Sequence, residues 1–512
     1  MRYGILVIIA YIGFIFSSWF LPFSALSSGD FPYLFLENIK EFSFIPDVHN
    51  LWLGLYYQIP TKILVQYFGI PWEFAERLLW FWPFLLVSIV SSYCLTRSWI
   101  GVLIYVTNTY ILMVVGGGQM GVALAYALAP LVLKLFLDGR EIVPFAISFG
   151  ILTMFDPRIA YILVVAILAY IFVLKKITKL ISLLFSILTS IAINSFWIFP
   201  FLTGKATIPL KNFDSLEGFR FYSFTDFSHT IALLHPNWPE NLFGKAYFLQ
   251  PEFIVIPIVA FASLLFLDKE QREKKIMLLY VSILGILGAF LAKGASEPFS
   301  FINTFAFTSI PGMSLFRDAT KWYVLTVLSY SILIPYTVNS IQTWLNSKLQ
   351  LKIQKIQLLP LLFIIFWIFT IRQAVFHRLG GTFVTHTVPK EYVELKDYLI
   401  SQPDSFKTLW VPARQRYGFS SKKIEAISAE NIFKTNDLDK ILFSLNSGKG
   451  REIMNDNNII FVIVPLDSQK ELFITDRKYD EMKYQKSIDL LDSLSWLNQT
   501  RRFGKIAVFE VR

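Results

Sequence analysis

The chain has 512 residues, of which 54% are hydrophobic and only 16% charged, with 50 Phe, 13 Trp and a mean hydropathy of +0.52. That much apolar surface exceeds what one soluble core can hide, so composition excludes an ordinary soluble enzyme and points to a polytopic α-helical membrane protein. The formal net charge of +10 would suit a nucleic-acid binder, but Lys and Arg are spread over short loops between apolar runs, so no nucleic-acid partner is expected.

The first apolar run, Tyr3 to Phe23, is longer than the apolar core of a cleavable signal peptide and reads as a retained span. The chain then emerges through Ser27-Ser28-Gly29-Asp30-Phe31-Pro32-Tyr33, which puts Asp30 at the rim of the membrane. A lone acid there is either a solvated loop residue or a group with work to do. Leu51 to Gly69 is apolar and aromatic but broken by Gln58, Pro60 and Lys62. Counting it as a span would invert all later loops, so helices lying along the membrane surface are expected.

Further spans are expected near 73–96, 99–115, 119–137, 141–156, 158–174, 179–200, 251–267, 275–293, 318–341 and 356–372, about eleven in all. The single cysteine, Cys94, lies inside one of them, which excludes an intrachain disulfide and a Cys-based metal site. Gly116-Gly117-Gly118 lacks the strand and helix context of a phosphate loop and reads as a tight turn.

With a cytoplasmic N-terminus, Arg97, Arg140, the Lys175/Lys176/Lys179 group, the Lys269 to Lys275 group and the Lys348/Lys352/Lys355 group all fall in cytoplasmic loops, as the positive-inside rule requires. The same alternation puts the long pieces, 24–72, 201–250, 294–317 and everything after about 372, on the external face. Residues 1–372 therefore read as a transmembrane domain and 373–512 as an extracytoplasmic soluble α/β domain. In the latter, β-like runs at 408–411, 459–464 and 506–509 alternate with helical stretches around 391–400 and 484–497. No nucleotide-binding glycine loop, His/Cys metal spacing or Gly-x-Ser-x-Gly elbow occurs there. Asn498-Gln499-Thr500 matches the glycosylation pattern, a match short enough to arise by chance.

Three polar constellations interrupt the external ends of spans, where an ionisable group must be paired, hydrated or functional. They are Asp30; Asp156-Pro157-Arg158 in a very short connection; and Phe316-Arg317-Asp318-Ala319-Thr320-Lys321-Trp322 at the mouth of a span. Asp156 and Arg158 either pair with each other around a proline turn or contact acceptor or sugar. Arg317 and Lys321, four apart and hence on one helical face, either anchor the helix by snorkelling or bind an anion, with Asp318 three residues from Lys321 and placed to orient it. An external acid with two cations at membrane depth suits transfer from a lipid phosphate: the acid takes a proton from an acceptor hydroxyl and the cations stabilise the departing phosphate. In the large external loop, His229, His235, Asn237, Trp238 and Glu240 are candidate cleft residues, with Pro236-Asn237-Trp238-Pro239 reading as either a rigid turn or an aromatic platform.

A chain with many spans, short cytoplasmic loops, an acid in the first external loop, surface helices after it and an external C-terminal domain resembles the glycosyltransferases of the GT-C superfamily. It is most similar to the arabinofuranosyltransferase-like and YfhO-type membrane proteins. The motifs are Ser28-Gly29-Asp30, Leu51-Trp52-Leu53-Gly54-Leu55 and Phe316 to Trp322, which resembles their Phe-Arg-Asp/Glu-x-x-Lys-Phe pattern. The resemblance covers about residues 1–372 and implies a polyprenyl-phosphate sugar donor, an extracytoplasmic glycan or glycoconjugate acceptor, and Asp30 as catalytic base. Several GT-C families show two adjacent acids in this loop, whereas here Phe31 follows Asp30 and the next acids are Glu37 and Asp47. No obligatory divalent metal and no other cofactor are therefore expected. A lipid-linked glycan flippase or a non-catalytic scaffold of an envelope complex are the competing classes; mid-span ionisable pairs and internal repeats, which a transporter should carry, are not seen.

Overall fold

The computed structural model describes residues 2–46, 48–139, 141–204, 215–235, 242–243, 250–349, 358–447, 449–465 and 481–512. Among the described residues, five helices are long and apolar enough to cross a membrane: Trp72–Thr96, Met120–Asp138, Pro251–Asp268, Arg272–Ala292 and Ala319–Ser347. Two bent pairs, Trp99–Thr107 with Thr109–Gly116 and Lys179–Ile193 with Ser195–Leu202, raise the number to seven if each pair is one span. The chain is an integral membrane protein.

The expected eleven spans do not all follow. Four of them coincide with the shorter apolar helices Ile5–Ile15, Ile142–Phe155, Pro157–Val173 and Leu358–Thr370. At 1.5 Å per residue, helices of about 11–17 residues reach about 17–26 Å, short of a hydrocarbon core of about 30 Å. The first run loses its reach because its helix, Arg2–Ile15, gives way to a 3₁₀ turn at Ser17–Phe20.

The chain divides into two compact units. One holds Met1–Leu21, Phe44–Pro60 and Glu76–Leu379; the other holds Pro22–Ser43, Thr61–Ala75 and Gly380–Arg512. Two segments of the first long loop thus group with the C-terminal residues.

In the first unit, close helix approach relies on small residues, as expected where hydrocarbon on all sides removes any hydrophobic drive for helices to associate. A Cβ on Gly288 of Arg272–Ala292 would stand 2.7 Å from Leu325 Cβ and 2.8 Å from the Thr326 nitrogen, and one on Gly101 would stand 2.6 Å from the Ser331 carbonyl oxygen. Several buried polar groups are bonded internally. Tyr105 and Tyr126 stack at 4.2 Å and each donates its hydroxyl to the other's carbonyl at 2.6 Å. Asn108 causes the 42° bend between Trp99–Thr107 and Thr109–Gly116. With ψ near 160° it leaves the helix, its Oδ1 caps Ile111 N at 3.1 Å, and its Nδ2 donates to the carbonyls of Ile104 and Tyr105. Thr109 Oγ1 then donates to the Leu233 carbonyl and accepts from His235 N, tying this helix start to the loop that bears His235.

The second unit is built on a five-stranded sheet of order β2-β1-β3-β5-β4: β1 Phe406–Trp410, β2 Ile424–Ser428, β3 Ile459–Val464, β4 Leu497–Phe503 and β5 Ile506–Val511. Strands β1, β2 and β3 pair in parallel, while β5 runs antiparallel to both β3 and β4. One face is covered by Leu442, Leu445, Ile488 and Leu491 of the helices Leu438–Asn446 and Glu481–Ser493. The other face packs Leu395 and Leu399 of Lys390–Ile400 together with Phe35 from the first loop. The helix expected over 484–497 ends at Ser493, and the polar run that follows becomes edge strand β4.

Gly288→Ala should destabilise the protein by about 1–3 kcal/mol, because the added methyl meets backbone and a Cβ that do not yield. Gly13→Ala, where nothing lies within 4 Å of the new atom, should not. Thermal unfolding of the detergent-solubilised protein checks both; equal melting temperatures would show that the two helices separate freely.

Candidate functional site

Two ion pairs come together in the first unit. Asp156 caps the helix Pro157–Val173 by accepting from Arg158 N at 2.8 Å, and the same carboxylate takes the Arg158 guanidinium at 3.0 Å from Nε and 2.6 Å from Nη2. The proline turn thus pairs the two residues, as one of the two sequence readings had it. Asp318 caps the 3₁₀ turn Ala319–Trp322 by accepting from Thr320 N at 3.1 Å and forms an ion pair with Lys321. Lys321 Nζ also donates to Gln119 Oε1 at 3.2 Å. Tyr161, one turn into Pro157–Val173, packs its ring on Phe316 at 5.5 Å and on Trp322 at 6.4 Å, joining the two motifs.

The expectation that Arg317 and Lys321 share one helical face is corrected here. Asp318 is extended at φ −89°, ψ 96°, and the following turn is 3₁₀, so an α-helical i,i+4 relation does not hold. Instead the Arg317 guanidinium lies 4.5 Å over the Tyr222 ring. Its stem runs past Gly218, where a Cβ would come within 3.1 Å of Arg317 Cδ. Lys321 is buried, its side chain 3% exposed, while Asp318 retains 27%. Burial pushes the Asp318 carboxyl up, but the Lys321 ammonium, with hydrogen bonds from Lys321 and Thr320, more than offsets this and holds it well below the usual carboxylate range.

His235 is buried beside this cluster, 5.7 Å from the Tyr110 ring and 5.4 Å from that of Tyr323, and those two tyrosines stack at 5.4 Å. His229 is occupied with Asp226, whose carboxylate lies 2.6 Å from Nδ1 and caps the short helix Phe227–Ile231. Asn237, Trp238 and Glu240 lie outside the described residues.

Asp30 belongs to the second unit, where its side chain is exposed. Its loop is held firmly. Ser27 and Ser28 are buried, Gly29 takes φ +58°, which favours glycine, and Phe31 N donates to the Ser28 carbonyl at 3.0 Å. Trp72 stacks on Phe31 and donates to Ser27 Oγ at 3.1 Å. Arg416 reaches in from the C-terminal residues to donate to the carbonyls of Phe31 at 3.0 Å and Gly29 at 3.3 Å, one on each side of Asp30. Sequence reading missed Arg416, Tyr110, Tyr222 and Gln119. Only Gln119 left a signal, as an amide set directly after a glycine turn between two apolar runs. Among the described residues no group of three or more His, Cys, Asp or Glu is arranged to hold a metal ion.

Helical packing of this kind with a small mixed α/β domain defines the class: an α-helical integral membrane protein bearing a compact α/β unit, with ionised side chains gathered at helix starts. No family model matches the chain, and no curated protein sequence matches it either. Solved structures do. The cryo-EM structure of arabinofuranosyltransferase AftD from mycobacteria aligns with a TM-score of 0.59 at 14% identity, covering 100% of this chain and 40% of that one. A mutant form of that enzyme aligns at 0.56, again with 14% identity, over 100% and 41%. The chain spans about two fifths of the structures it matches, and the likeness is one of fold.

Two outcomes follow from the geometry. A carboxyl lowered in the folded state stabilises above its unfolded value, near 3.9, and that contribution is lost only as pH falls through the lower folded value. The difference in melting temperature between wild type and Asp318→Asn should therefore persist from neutral pH down to about pH 4 and vanish only in stronger acid; its loss near pH 6 would show that Lys321 does not hold the carboxylate. Arg416→Ala should speed amide exchange at Phe31 by about tenfold or more while leaving exchange in Met120–Asp138 unchanged. Equal protection at Phe31 would mean that Arg416 does not brace the loop.

Proposed function

We propose that the protein is a GT-C-type glycosyltransferase that moves a sugar from a polyprenyl-phosphate carrier to an extracytoplasmic glycan or glycoconjugate, with inversion. The observation that carries this reading is the agreement in fold with a mycobacterial arabinofuranosyltransferase along the whole of this chain. Supporting it, an exposed carboxylate sits on a loop fixed from both sides, and a guanidinium is pre-positioned over an aromatic ring.

In this mechanism Asp30 takes the proton of the acceptor hydroxyl as its oxygen attacks the anomeric carbon, and the bond from that carbon to the phosphate oxygen breaks. Arg317 and Lys321 supply positive charge for the leaving phosphate. Arg317 does so more directly, since Lys321 is buried and already matched by Asp318. The N-terminus then lies in the cytoplasm and the C-terminal residues outside the cytoplasmic membrane, as the basic loops require under the positive-inside rule. The absence of a second acid beside Asp30 supports a reaction with no obligatory divalent ion.

Radiolabelled polyprenyl-phosphate sugar incubated with the purified protein in liposomes tests this. Transfer to acceptor is expected; movement across the bilayer without transfer would make it a flippase, and neither would make it a scaffold. Asp30→Asn should lower turnover by about 10²–10⁴-fold with donor binding intact, and wild-type turnover in that variant would remove Asp30 from the role. Arg317→Gln should chiefly raise the donor concentration needed.

A further inference from the structure

The paired cluster in the first unit has a charge balance that bears on what it binds. Asp156 with Arg158 and Asp318 with Lys321 are two carboxylates and two cations, a set with no formal net charge. Gln119 adds an amide at 3.2 Å from Lys321. Behind them the Tyr110 side chain is fully buried, and its hydroxyl has no hydrogen-bond partner among the described residues. The Tyr110 ring stacks at 5.4 Å on that of Tyr323, which directly follows the Ala319–Trp322 turn that carries Lys321. A buried hydroxyl left unbonded carries a desolvation cost of about 1–3 kcal/mol unless something completes it.

An anion entering here would meet two carboxylates and gain no net attraction. A neutral polyhydroxylated ring suits the set: its O–H groups donate to the carboxylates, and its oxygens accept from the guanidinium, the ammonium and the Tyr110 hydroxyl. The partly open Arg158 and Asp318 side chains, 21% and 27% exposed, are the ones a ligand reaches first, while Asp156 and Lys321, at 1% and 3%, hold them in place. We propose that Asp156, Arg158, Asp318, Lys321, Gln119 and Tyr110 form a subsite for the neutral ring of a sugar, with Arg317 the chief contact of the phosphate and Lys321 adding only charge at longer range. This rests on the glycosyltransferase reading and deepens it.

The full-length protein in detergent, mixed with the methyl glycosides of arabinofuranose, galactofuranose, glucose and mannose, tests it by saturation-transfer NMR, with inorganic phosphate followed in parallel by ³¹P line width. Wild type should bind at least one glycoside. Asp318→Asn should weaken that binding about tenfold and leave phosphate unaffected. Tighter phosphate binding in Asp318→Asn, where a negative charge next to Lys321 has been removed, would mark an anion site and overturn the proposal, as would binding of none of the glycosides. Tyr110→Phe removes a hydroxyl that bonds nothing among the described residues, so its melting temperature should not fall while glycoside binding does; unchanged binding overturns the proposal too. A wild type that transfers sugar but fails these binding tests sinks the subsite alone. One that passes them and never transfers sinks the enzymatic reading alone.

Discussion

Much of the polar arrangement inside the helical unit answers to one constraint: in hydrocarbon, a donor or acceptor without a partner costs several kilocalories per mole, and water is not there to supply one. The reciprocal bonds of Tyr105 and Tyr126 and the hydrogen bonds of the Asn108 side chain are solutions to it. So are the two ion pairs. Lys321 is tolerable as a buried cation because Asp318 neutralises it and Gln119 Oε1 accepts a further hydrogen bond from its ammonium. The same requirement allows helices to break at chosen points. Asn108 replaces the missing backbone bonds with side-chain ones, which lets Thr109 leave the helix line and anchor the segment carrying His235.

The candidate base obeys a different logic. Asp30 is exposed, and its loop is ordered by neighbours rather than by burial of the acid itself. Buried serines, a glycine at positive φ, the Trp72 indole and the Arg416 guanidinium fix the backbone on either side and leave the carboxylate facing solvent. Holding a reactive group on an over-determined backbone keeps its geometry without desolvating it, which is what a proton acceptor for an incoming hydroxyl requires.

Much of this was legible in the sequence, and the failures have physical causes. Each of the eleven apolar stretches contains helix, because hydropathy and helix period are local properties. Whether each crosses a bilayer depends on unbroken length, which Ser17–Phe20 and the breaks at Asn108 and Asn194 alter in ways composition does not report. Strands β1, β3 and β5 are apolar and stood out, whereas β4, Leu497–Phe503, is a polar edge strand whose identity comes from pairing with β5. At the site, the pairs Asp156 with Arg158 and Asp318 with Lys321 lie within three residues and could be anticipated. The shared face assumed for Arg317 and Lys321 failed because Asp318 caps a turn there instead of continuing a helix. Tyr110, Gln119 and Arg416 join their sites across long sequence separations, which no local pattern encodes.

The bonds from Arg416 to the loop around Asp30 join residues 385 and 387 positions apart in the chain. A nascent chain emerges from its N-terminus, so the first helix and the Asp30 turn are made long before the guanidinium that steadies them exists. The turn lacks this brace throughout synthesis of the helical unit and gains it only once Arg416 has been made. Maturation of the acidic loop is thereby timed by the ribosome, and a prematurely terminated product would carry the carboxylate without its brace.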